Sequence, residues 1–101
     1  MYCRLRISAT SKKEANKISK TLVAKNLVAG TMIYKGNCHY WWQGKIVERE
    51  YWNIGAFSLL KHKKAIIDEV KKIHRDKCPI IALNKIDGNE EFLKWIKESV
   101  K

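Results

Sequence analysis

The segment CHYWWQGKIVEREYWNIGAFS, residues 38–58, decides the fold. Cys38 to Trp42 is rich in aromatic side chains, which favour a pleated, half-buried strand. Gln43-Gly44-Lys45 then reverses the chain, and residues 46–58 read as one long strand or a bulged pair. The middle of the chain is therefore a long β-hairpin. Upstream, Leu27 to Ile33 is apolar and β-prone, and Gly36-Asn37 carries a turn signal between that run and Cys38.

The flanks complete the topology. Residues 2–9 alternate, with Tyr2, Arg4, Arg6 and Ser8 on one face and Cys3, Leu5, Ile7 and Ala9 on the other, the period of a strand. Ser11 and Glu14 have capping-box spacing, and Ala15, Ile18 and Leu22 follow at helical spacing. This predicts a helix over 12–25, stopped by Asn26. A second helix is predicted over 61–74, with Ile66, Val70 and Ile73 as its apolar stripe and lysines at 61, 63, 64, 71 and 72 mostly outside. His74-Arg75-Asp76-Lys77 is a polar loop, Pro79 permits a strand start, and residues 80–83 read as a buried strand. Asp87-Gly88-Asn89 is a turn before a last helix with Phe92, Trp95 and Ile96 on its apolar face. The order β-α-β-β-α-β plus a C-terminal helix is the ferredoxin-like α+β pattern, an antiparallel sheet with both main helices on one face. Residues 1–101 are expected to form one domain of this kind.

Composition narrows the function. Hydrophobic residues make up 46% of the chain, enough for a core, and no run approaches the ~20 apolar residues of a membrane span. The charged start MYCRLRIS interrupts any signal-peptide core, so a cytoplasmic protein is expected. Cys3, Cys38 and Cys78 are odd in number and widely spaced, which reads as buried free thiols rather than a disulfide framework or metal ligands. Lys and Arg exceed Asp and Glu by 11 charges, a field that attracts anions and repels free divalent cations. No GxGxxG, P-loop or Gly-x-Ser-x-Gly motif is present, and a non-enzymatic protein is expected. Glu48 and Glu50 share a strand face and read as a surface ladder answered by lysines. Cys38 and His39, as strand neighbours, point to opposite faces and cannot chelate one ion. His62 falls near a helix start with no special role.

Five pieces in order then suggest a family. Tyr40-Trp41-Trp42-Gln43-Gly44-Lys45-Ile46 resembles the Y-W-x-G-K-I core of the CutA divalent-cation tolerance family. The first strand with its Ser11/Glu14 helix start, the run Leu27 to Ile33, the His74 loop leading to Pro79 and residues 80–83, and Gly88-Asn89 through Phe92 to Ile96 are similar to the family's other segments. The resemblance implies a homotrimer in which the long hairpin crosses between subunits and continues their sheets, with Tyr40, Trp41, Trp42, Lys45, Tyr51 and Trp52 at the interface or an inter-subunit cleft. It also implies divalent-ion tolerance and copper as the associated metal. His74 is retained as the family's candidate ligand, but Gly30 stands where the family has a Cys. Ile80 follows Pro79 where an acidic residue is usual, and Ala56-Phe57-Ser58 replaces the family's I-K-T. Two rival readings stay open: a nucleic-acid-binding sheet, and a trimer whose cleft, lined by Tyr40, Lys45 and Tyr51, takes a small anion.

Overall fold

The computed structural model describes residues 1–76 and 78–101. Lys77, the end of the predicted polar loop, lies outside the described residues. The chain runs β1 (Tyr2–Ala9), α1 (Lys12–Ala24), β2 (Gly30–Trp42), β3 (Lys45–Leu59), a 3-10 turn (Leu60–His62), α2 (Lys63–Ile73), β4 (Ile81–Lys85) and α3 (Glu90–Ser99). The four strands form one antiparallel sheet in the order β2-β3-β1-β4. This is the predicted α+β arrangement.

Local chemistry accounts for the element ends. The Ser11 side chain caps α1 by accepting the Glu14 amide at 3.1 Å. Asn26 takes φ 57 just beyond α1, and its amide and that of Leu27 return to the carbonyls of Val23 and Leu22. Asn tolerates that left-handed conformation better than most residues. At the hairpin, Gln43 (φ 51) and Gly44 (φ 79) form a two-residue turn between Trp42 and Lys45. Two successive positive φ values match the twist of the flanking strands.

Four boundaries differ from expectation. Gly36-Asn37 is no turn: both residues lie inside β2, opposite Tyr51 and Glu50. Gly36 serves a close approach instead, since a Cβ there would sit 3.3 Å from Asn53 Nδ2. Strand β2 begins at Gly30 rather than Leu27, whereas β3 takes one of its two expected forms, a single long strand. The second helix opens with a 3-10 turn, and β4 is shifted to Ile81–Lys85.

The core lies between the sheet and α1 and α2. Leu5, Ile7, Ile54 and Ala56 from β1 and β3 meet Ile18, Leu22, Ile66 and Val70 from the helices, all fully buried. On the opposite sheet face α3 covers only one end, where Phe92 meets Phe57 edge-on at 4.9 Å and Trp95 presses on Gly30. Strand β1 ends its pairing at Ala9 opposite Trp52, so β3 residues 45–51 pair with β2 alone. Seven residues at about 3.3 Å each carry the hairpin roughly 20 Å past the rest of the sheet, and the longest dimension of the chain is 44 Å.

Candidate functional site

The candidate site sits at the foot of that projection, on the sheet face opposite α1 and α2. The period of two places Tyr40 and Trp42 of β2 on this face with Val47, Arg49 and Tyr51 of β3. The loop after α2 closes the other side. It is held by three bonds. His74 Nε2 donates to the Ser8 carbonyl at 2.6 Å, the Asp76 amide donates to His74 Nδ1 at 3.0 Å, and the Arg75 amide donates to Glu14 Oε2 at 3.1 Å. Glu14 also accepts the Thr10 amide at 2.9 Å through Oε1. Its carboxylate thus reaches Thr10 and a distant loop, where a capping box would send it to the Ser11 amide.

The loop so anchored presents Asp76 to the hairpin. Tyr51 Oη donates to Asp76 Oδ2 at 3.3 Å and lies 3.2 Å from Tyr40 Oη. Arg49 lies over the Tyr51 ring at 4.8 Å, donates through Nη1 to Tyr51 Oη at 3.3 Å, and comes within 3.9 Å of Asp76 Oδ1. Burial, the bond with Tyr40 and the Asp76 charge push the Tyr51 phenol well above its ordinary pKa, against a smaller opposing pull from Arg49. These groups line a cavity of about 410 Å³ together with Trp42, Val47, Arg75 and Cys78. A second cavity of about 480 Å³ shares Tyr40, Trp42, Tyr51 and Asp76, and adds Arg6 and Cys38.

Of the residues singled out by sequence, Tyr40, Trp42 and Tyr51 come together here. Lys45 stands opposite Trp42 at the turn, outside the cavity lining. Trp41 alternates to the other hairpin face and is 72% exposed, and it borders only the second cavity. Trp52 faces α1, with Lys12 and Lys35 ammonium groups 5.8 and 5.9 Å from its ring. Arg49, Arg75 and Asp76 were not among the expected cleft residues. Arg49 is two residues from Tyr51 on the same strand face, a signal that could have found it, whereas Arg75 and Asp76 arrive through the fold. Glu48 and Glu50 form a surface ladder as expected, but only Glu50 is answered by a lysine, Lys35 at 3.3 Å; Glu48 is answered by His39 at 2.7 Å.

The donor set can be tested directly for a metal. The His74 side chain is fully buried, and both ring nitrogens are engaged. Gly30 offers no ligand atom, and any Cβ at that position would meet Trp95 Cη2 at 2.8 Å. Among the described residues, no three His, Cys, Asp or Glu side chains converge on one point. These residues do not fit a resident copper ion within one chain. Nor does the open sheet face resemble a base-stacking platform, because Phe57 in β3 lies beneath Phe92.

A ferredoxin-like α+β sheet with an overlong hairpin and an aromatic-basic cleft at its foot defines the class. The CutA1 divalent ion tolerance protein family matches residues 3–99, and the chain belongs to it. The divalent-cation tolerance protein CutA of Archaeoglobus fulgidus is 33% identical over 102 residues, covering all of both chains. That of Pyrococcus horikoshii is 34% identical over 94 residues, covering 88% of each. Among solved structures, the A. fulgidus protein, described as periplasmic, superposes with a TM-score of 0.96 over the full length of both chains. The Thermus thermophilus protein also gives 0.96 over both full lengths, at 28% identity.

Proposed function

We propose that this protein serves divalent-ion tolerance as a non-enzymatic homotrimer of the CutA type, each chain a single domain over residues 1–101. One observation carries the assembly: the projecting hairpin is apolar where a lone chain leaves it in water. On the projection the cross-strand pair Trp41 and Ile46 is 72% and 66% exposed; nearer the body of the sheet Met32 is also 72% exposed, and among the described residues no strand pairs with the 13-residue outer edge of β2. Such an edge is a template for association unless another chain covers it, and exposed apolar patches of this kind mark interaction surfaces. Light scattering should give three times the 11.8 kDa chain mass. A monomer at micromolar concentration would refute the assembly.

The finer metal reading centres on His74. Copper held there would have to displace the Asp76 amide from Nδ1 or the proton that Nε2 gives to Ser8. Titration with Cu(II) tests this: a stoichiometric signal lost in His74→Ala but kept in Glu14→Ala, which disturbs the same loop, supports ligation there, and a signal unchanged in His74→Ala excludes it. The reading places the protein in the cytoplasm, where free Cys3, Cys38 and Cys78 would be kept reduced. No described helix is long and apolar enough to cross a membrane.

A further inference from the structure

The cleft at the hairpin foot has the composition of a ligand site rather than of a cation site. Two arginines, Arg49 and Arg75, and one acid, Asp76, line about 410 Å³ of open space. That volume lies within the range of small-molecule pockets, roughly 300–1,000 Å³. Arg49 meets Tyr51 Oη and Asp76 through Nη1, and a guanidinium carries five N–H donors, more than those two contacts use. Arg75 is exposed and ties itself to the fold through its backbone amide, so its guanidinium plays no part in anchoring the loop. The Tyr40 and Tyr51 hydroxyls, 3.2 Å apart, sit beside these charges. Trp42, 42% exposed, supplies an aromatic wall.

We propose that this cleft binds a small planar anion, an acid group on a flat apolar body. The acid group pairs with Arg49 and Arg75, whose planar forks match carboxylate or phosphate oxygens. The flat body lies against Trp42 and Tyr40. The chain's net charge of +11 concentrates such anions near the surface and disfavours free divalent cations. Asp76 orders the site by holding Tyr51 and Arg49, and it limits the net positive charge of the lining to about that of one anion. This goes beyond the tolerance reading and needs no metal in the cleft.

The test uses the intact, assembled protein labelled with nitrogen-15 at pH 7 and low salt. Benzoate and phenyl phosphate should each shift the Trp42 indole and the amides of Tyr40, Arg49 and Arg75 in a saturable manner, and their relative affinity assigns the acid group. Benzamide, the neutral isostere of benzoate, should bind at least about tenfold more weakly, the worth of one charge-assisted contact. Arg75→Gln, at an exposed position that leaves its anchoring amide intact, should weaken benzoate by a similar factor. Lys17→Gln, which removes an equal charge from α1, should change it little. The proposal fails if benzamide binds as well as benzoate, if Arg75→Gln is without effect, if Lys17→Gln weakens binding as much, or if neither acid shifts these resonances at about 10 mM. Sizing the same samples separates that failure from a failure of the trimer.

Discussion

Replacing Glu14 by Ala tests how far one buried carboxylate organises the site. The residue is only 7% exposed and accepts two backbone amides, Thr10 at 2.9 Å and Arg75 at 3.1 Å. A hydrogen bond to a charged partner contributes about 1.5–3 kcal/mol net. Two such bonds lost, less the desolvation cost that vanishes with the carboxylate, leave about 2–3 kcal/mol of destabilisation. For a domain of about 100 residues that is roughly 10–20 °C in Tm. Glu14→Gln keeps one carbonyl oxygen and should cost about half as much. Urea unfolding at fixed protein concentration, followed by tryptophan fluorescence, measures the difference and keeps assembly constant. Amide exchange locates it: Thr10 and Arg75 should lose protection, while the amide at position 14, bonded to Ser11 Oγ, should keep it. A loss below about 0.5 kcal/mol, or equal costs for Ala and Gln, would refute the reasoning.

Three further substitutions or titrations follow from the same contacts. Gly30→Ala should cost about 1–2 kcal/mol, because its Cβ drives the Trp95 ring off the strand, and should cost much less in a Trp95→Leu background; additive costs in a double-mutant cycle would contradict the clash. The Tyr51 phenol, raised chiefly by burial, should titrate above the ordinary phenol range when absorbance at 295 nm is followed. Since the folded state holds that proton more tightly than the unfolded chain, the contribution is constant below the ordinary phenol pKa of about 10 and falls as pH rises beyond it. Tyr51→Phe should remove that high-pH step, and a difference titration in which Tyr51→Phe removes only a step near the ordinary phenol pKa of about 10 would rule the shift out. Burial also raises the Cys3 thiol pKa, so a thiol reagent at pH 8 should reach exposed Cys78 promptly and Cys3 only on unfolding; prompt reaction of Cys3 in Cys78→Ser would show an open core.

What could be read from the chain was local. The alternation of residues 2–9, the Ser11 cap and the Gln43-Gly44 reversal each depend on neighbours within a few positions, and each gave its element. Gly36-Asn37 misled because the role of Gly36 is set by Asn53 on the facing strand, a contact no local signal carries. The candidate site was half legible for the same reason. Tyr40, Trp42 and Tyr51 lie on strands whose faces a period of two predicts. Arg75 and Asp76 reach the cleft because Glu14 and Ser8, from a distant part of the chain, fix their loop, Glu14 through the Arg75 amide and Ser8 through His74.

That coupling changes how a metal experiment on His74 must be read. The imidazole joins the Ser8 carbonyl of β1 to the Asp76 amide, and Asp76 in turn takes the Tyr51 hydroxyl. His74→Ala therefore removes a candidate ligand and loosens one wall of the cleft in a single step. A lost copper signal in that variant is ambiguous by itself. Glu14→Ala resolves it, since it frees the Arg75 amide and disturbs the same loop without removing the imidazole. If His74 binds the ion, the copper signal falls in His74→Ala and survives in Glu14→Ala. If the loop merely shapes a site elsewhere, both variants lose it together. Gly30 supports the second outcome, because the space a thiolate would need beside β2 is filled by Trp95, with a ring atom 2.8 Å from any Cβ. A soft-metal site at that place would require Gly30→Cys together with a smaller residue at 95, and copper affinity gained by that pair alone would show that the tryptophan had taken the ligand's room.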